Sequence, residues 1–204
     1  MPRTWLAVIV ATFTLAVGTS AAKATFHLWQ ADEVYSSADG KIQFIELTTS
    51  TSGQNLFGTE QVSLVSTSGA NGTGTILNIL NLGPDLSSSN TAGHHLLLAT
   101  PGFAALSGVT PDFTIPVSTL FLSGGSIHFH SDIAAENSET LNYGALPTDG
   151  THSLNRLNLA NQTLTSGLDT PTDFAGTTGA VAPEPATLSV VAVGAVGLLA
   201  RRRR

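Results

Sequence analysis

Residues 33–49 read EVYSSADGKIQFIELTT. Two short apolar runs flank SSADG, a cluster of turn-forming residues, so the stretch predicts strand, tight turn, strand. In the second run Ile42 and Phe44 fall on one face of an extended chain and Ile45 and Leu47 on the other, with Glu46 inside the apolar string. Apolar residues on both faces predict a strand covered on both sides. Outward from here the same texture continues: TFHLWQADEVY (25–35) leads in, and EQVSLVS (60–66), TILNILNL (75–82), HHLLLAT (94–100), STLFLSGG (118–125), SIHFHSD (126–132), ETLNY (139–143) and HSLNRLNL (152–159) follow. Glycine, proline, asparagine and serine separate these runs, and no window sustains a 3.6-residue apolar period. One helical turn is expected at PGFAAL (101–106), opened by Pro101 and closed by Gly108. The fold class expected is all-β, an antiparallel sandwich or barrel. Residues 157–182, rich in threonine, glycine and proline, read as a spacer.

The two ends differ from this body. Near the N-terminus Arg3 precedes the apolar run WLAVIVATFTLAVG, and SAA (20–22) or AKA (22–24) supplies small residues for cleavage. Residues 1–24 therefore predict a signal peptide, its apolar run a helix. At the other end Ala186–Ala200 is an uncharged run of fifteen residues closed by Arg201, Arg202, Arg203 and Arg204. As a helix it would reach about 22 Å, short of a hydrocarbon core of roughly 30 Å. The expectation is a short transmembrane helix held by its arginines on the cytoplasmic side. Pro183 and Pro185 bracket Glu184 just before it and resist helix.

Between these ends, from Thr25 to Ala182, Lys41 and Arg156 stand against thirteen acidic residues, a net charge of −11 with histidine neutral. So few cations cannot neutralise a row of phosphates, which argues against nucleic-acid binding. The chain has no cysteine, so disulfide staples, thiolate metal sites and cysteine nucleophiles are excluded. Its roughly 155-residue body must be held by one hydrophobic core.

Two resemblances follow from these residues. The order Pro183-Glu184-Pro185, apolar run, arginine cluster resembles the PEP-CTERM sorting signal of Gram-negative bacteria, here 183–204. It implies an exosortase-type processing protease as partner, a transient inner-membrane anchor, and delivery to the cell surface or extracellular matrix. EVYSSADGKIQFIELTTSTSGQNLFGTEQVSL, HHLLLATPGFAAL and DGTHSLNR are together similar to lamin-tail-like domains, over 25–156. That resemblance implies an immunoglobulin-like β-sandwich serving as an extracytoplasmic interaction module.

Few residues suggest chemistry. In an extended SIHFHSD, His128, His130 and Asp132 project to one face, Ile127 and Phe129 to the other. Two imidazoles and a carboxylate suit zinc or another divalent ion, provided neighbouring strands complete the shell. His94 and His95 point to opposite faces of HHLLL, so at most one can contribute. The alternative is a polar, solvent-facing strand surface. Asp132, Glu136 and Glu139 offer oxygen ligands for calcium or a solvated acidic loop, without EF-hand or glycine-repeat spacing. Glu46 is the acid whose neighbours suggest burial, at an edge or beside a partner. No GxSxG elbow is present. Trp29, Tyr35 and Tyr143 read as core or rim aromatics, or as a sugar-stacking surface. The expected function is non-enzymatic: an exported binding or structural protein associated with extracellular polysaccharide or surface proteins, needing no cofactor. The alternatives are a metal-dependent extracytoplasmic hydrolase using His128 and His130, and a surface protein anchored permanently by its tail.

Overall fold

A computed structural model describes residues 28–131 and 139–182. Its strands are β1 (Gln30–Ser36), β2 (Gln43–Thr48), β3 (Val62–Thr67), β4 (Ile76–Leu82), β5 (His95–Ala99), β6 (Phe113–Thr114), β7 (Gly125–Ser131), β8 (Glu139–Tyr143), β9 (His152–Arg156) and β10 (Leu164–Leu168). One short helix, α1 (Phe103–Ser107), follows β5. The strands form a six-stranded sheet, β10-β9-β1-β2-β5-β6, and a four-stranded sheet, β4-β3-β7-β8. Named pairings are antiparallel, except that β5 and β6 run parallel. The all-β sandwich expected from the sequence is present; the parallel β6 departs from a purely antiparallel one. The signal helix expected in 1–24 and the membrane helix expected in 186–200 lie outside the described residues.

The SSADG turn forms as its residues require. Gly40 takes a φ of 72°, in the region that favours glycine, and Asp39 accepts hydrogen bonds from Lys41 N–H (3.0 Å) and the Ser37 hydroxyl (2.8 Å). This fixes the register Tyr35↔Phe44 and Val34↔Ile45. Inward from the large sheet, Val34, Ile45, Leu47, Leu96 and Leu98 meet Leu64, Ile127, Phe129 and Leu141 of the small one, around Trp29 and Phe57. Trp29, Tyr35 and Tyr143 are all buried, so the sugar-stacking alternative fails for them. Arg156 of β9 reaches across to Glu139 of β8 and clamps the two sheets, also donating to the Ala31 carbonyl (3.1 Å).

The outer face of the large sheet is covered as well, as the double-sided pattern of β2 predicted. Tyr35, Phe44, Leu97 and Ala99 pack there beneath Phe103 of α1, Val109 and Val181. Tyr35 stacks on Phe44 at 5.3 Å, and Phe44 meets Phe103 edge-on at 5.4 Å. Helix α1 stops where expected, with Gly108 left-handed at φ 73°.

Two readings need correction. STLFLSGG is not a strand: positive φ at Ser118 (58°) and Gly124 (101°) turns the chain there, while Leu120 N–H binds the Gln43 side chain (2.9 Å). The spacer expected at 157–182 is, from residue 164 onward, part of the folded body. Strand β10 pairs with β9 from Leu164↔Arg156 to Leu168↔His152. Residues 169–182 then cross the outer face as a strap that doubles back through a Thr172↔Thr178 bridge. The strap passes so close to α1 that a Cβ on Gly179 would lie 2.6 Å from the Ser107 carbonyl oxygen. Sequence composition misled because the strap presents few apolar side chains and bonds largely through its backbone.

Removing the strap would expose the outer aromatic cluster and take from Glu33, Glu46 and Asp112 the donors that Thr170, Thr172 and Phe174 supply. A chain ending at Arg156 is therefore expected to melt at least about 10 °C below one ending at Ala182. Equal melting temperatures by circular dichroism would contradict this assignment.

Candidate functional site

The titratable groups that converge are not those the strand pattern singled out. His128 and His130 do share the outer face of the small sheet, their rings stacked at 4.9 Å, with Ile127 and Phe129 inward. His128 Nδ1 lies 2.8 Å from the Thr140 hydroxyl, and burial lowers its pKa. Asp132 and Glu136 lie outside the described residues. Glu139 is engaged by Arg156 and by Ala31 N–H (2.8 Å). His94 and His95 stand on the large sheet and cannot join His128 and His130: His94 stacks on Phe174 at 4.7 Å, and His95 turns to Glu46.

Convergence occurs instead on the outer face of the large sheet. Strand β1 carries a bulge between Ala31 and Glu33, one extra residue that places Asp32 and Glu33 beside β2. Glu33 sits directly opposite Glu46, a like-charged cross-strand pair in a buried position. His95, from β5, places Nδ1 2.6 Å from Glu46 Oε1. Asp32, Glu46 and His95 thus bring one ligand atom each within 4.8 Å of one another. Two carboxylates and an imidazole from three adjacent strands are a donor set that suits a divalent cation.

Present partners show what the cluster does in the folded chain. Glu33 accepts from the Ser153 hydroxyl (2.6 Å), Thr170 N–H (3.0 Å) and the Thr170 hydroxyl (3.2 Å). Glu46 accepts from His95 on one oxygen and from Thr172 N–H (2.6 Å) on the other. Asp112, which precedes β6, accepts from Leu97 N–H (2.8 Å) and Phe174 N–H (3.0 Å). The N–H groups of Thr170, Thr172 and Phe174 alternate along an extended strap and are met in turn by acids at β1, β2 and β6. A cation taken by Glu46 would have to displace His95 or Thr172. Glu46 belongs to both sets: it anchors the strap with Glu33 and Asp112, and it is the acid that Asp32 and His95 approach closely enough to share a cation.

Electrostatics follow from burial. Desolvation pushes Glu33 up to about 7, against the opposing bonds from Ser153 and Thr170 and assisted by the charge of Glu46. Burial likewise raises Asp32, Glu46 and Asp112. The hydrogen bond to Glu46 raises His95, favouring its charged form.

Beyond the strap lies the tail. Val181 is buried against Tyr35 and Phe44, Ala182 N–H binds the Leu106 carbonyl (3.1 Å), and Pro183 follows at once. Residues 181–204 match the PEP-CTERM protein-sorting motif. The chain is thus an exported protein sorted through a C-terminal signal, of the kind that exosortases process in Gram-negative bacteria and that directs proteins to the cell surface. No curated protein and no solved structure matches the chain. Pro183, Glu184, Pro185 and Arg201–Arg204 fall within the matched range but outside the described residues. Sequence reasoning missed Asp32, Glu33 and Asp112. The signal available was an acidic pair, Asp32-Glu33, entering an apolar strand opposite the FIEL strand.

The raised Glu33 pKa gives a signed pH dependence. Its stabilising contribution is fully present below 4.5, where both states are protonated, and is lost as pH rises to about 7. The Glu33→Gln variant keeps the hydrogen-bonding shape without the titration. Wild-type stability relative to this variant should fall by about 3 kcal/mol between pH 4.5 and 7.5, measured by urea denaturation. Parallel pH profiles would contradict the buried state of Glu33.

Proposed function

We propose that this protein is a non-enzymatic surface or extracellular-matrix component. Its sandwich is delivered by the PEP-CTERM signal and acts by associating with extracellular polysaccharide or surface proteins. The carrying observation is the sorting motif at residues 181–204, whose first two residues lie in the strap of the sandwich. A second observation supports a binding rather than catalytic role: Glu46, at the centre of the converging groups, is engaged by His95 on one oxygen and by Thr172 N–H of the strap on the other. The lamin-tail-like resemblance of 25–156 agrees with an interaction module on an immunoglobulin-like frame. In this reading an exosortase-type protease removes the tail after a transient stay in the inner membrane. A permanent anchor would keep Ala186–Arg204 in the mature protein.

Intact mass of the protein recovered from its producing host tests the reading. The expected product lacks Ala186–Arg204, while Pro183→Ala/Pro185→Ala retains them and stays in the membrane fraction. A wild-type product that keeps the tail would favour the permanent anchor. Stoichiometric metal in the purified protein, lost in His128→Ala/His130→Ala, would move the reading to the hydrolase.

A further inference from the structure

The N–H groups of the strap account for Glu33, Glu46 and Asp112, and they leave Asp32 out. Asp32 is half-buried, and no described residue donates a hydrogen bond to its carboxyl; its favourable neighbours are the charges of His95 and Arg156. Arg156 is committed elsewhere, to Glu139 and to the carbonyls of Ala31, Leu159 and Asn161. The bulge in β1 sets Asp32 at this place, and bulges recur beside functional sites because they re-aim a side chain. Around it the acids repel. Burial chiefly, and a neighbouring acid's charge in addition, push up Glu33 beside Glu46 and Glu46 beside Asp32. Holding the strap explains two of these three acids. It explains neither Asp32 nor the turn of His95 toward Glu46.

We propose that Asp32, Glu46 and His95 bind one zinc ion, which ties β1, β2 and β5 together beside the strap. The site adds to the binding reading above and does not depend on it. One ligand atom from each residue already lies within 4.8 Å of the others. Zinc bonds of about 2.1 Å set neighbouring ligand atoms roughly 3.0–3.4 Å apart. His95 Nδ1 and Glu46 Oε1, now at 2.6 Å, therefore separate slightly while Asp32 closes in. Asp32 and His95 are both partly exposed and have room to rotate, whereas the Glu46 side chain, 3% exposed, is the fixed member. The ion takes the place of the proton between Nδ1 and Oε1, and that proton leaves to solvent. Glu46 Oε2 keeps its bond from Thr172 N–H, so the strap stays fastened. An imidazole with two carboxylates favours zinc over calcium or magnesium, which take oxygen ligands. Three protein ligands leave a fourth position for water. A dication also removes the repulsion among the acids, which the single charge of His95 offsets only in part.

Each chain is recovered from its producing host, stripped with a chelator and titrated with zinc by calorimetry at fixed pH, with melting temperatures taken with and without the metal. Wild type should bind a single equivalent and melt higher with zinc than without it. Asp32→Asn removes a carboxylate to which no described residue donates, so its metal-free form should melt no lower than metal-free wild type. Asp32→Asn and His95→Gln should each weaken zinc binding at least about tenfold, and His128→Ala/His130→Ala should leave it unchanged. Wild type that takes up no zinc, or wild-type affinity in both Asp32→Asn and His95→Gln, would overturn the proposal. Zinc lost in His128→Ala/His130→Ala and kept in the other two variants would overturn it as well, and would put the metal on the small sheet.

Discussion

The structure depends on a run of alternating backbone N–H groups meeting buried and half-buried carboxylates. Thr170, Thr172 and Phe174 donate in turn to Glu33, Glu46 and Asp112, which belong to successive parts of one sheet. An extended segment presents every second N–H to the same side, so acids spaced across a sheet can hold a strap that contributes few apolar side chains. Without it, the outer aromatic cluster loses Val181, and Glu33, Glu46 and Asp112 lose the donors that the strap supplies. Lost hydrogen bonds to acids and a lost apolar cover both cost stability, so strap and sheet stabilise each other.

The same constraint explains the charge of the body. Thirteen acids against two bases looks like a soluble surface, yet Glu33, Glu46, Asp169 and Asp173 are buried and serve as acceptors. Of the two bases, Arg156 is itself buried as the clamp between sheets and donates to Asn161 and Leu159 carbonyls as well as to Glu139. The acidity is thus partly architectural. It matters for function because the convergence of Asp32, Glu46 and His95 arises where the strap is fastened.

Much of the sandwich was legible in the sequence. The SSADG turn, the double-sided β2, the ETLNY strand and the helical turn ending at Gly108 followed from local chemistry that the fold does not override. The inward placement of Ile127 and Phe129 and the outward one of His128 and His130 followed from strand alternation alone. What could not be read was any feature set by contacts between distant segments. Residues 164–182 look like a spacer because their binding to the sheet runs through N–H groups, which every residue but proline carries. Glu46 showed itself as a buried acid, but its partners are 49 and 126 residues away in the chain. Asp32 needed the bulge, which periodicity does not reveal. The sorting motif was legible because its recognition depends on order along the chain.

An integral strap that runs straight into the sorting motif is the central claim, and amide hydrogen exchange across residues 164–182 tests it most directly. The N–H groups of Thr170, Thr172 and Phe174 should exchange as slowly as those in the middle of β1 and β2, and lose their protection together. Exchange at the rate of an unstructured peptide, beside protected β1 and β2, would mean that the segment is a free linker and that the domain ends before it.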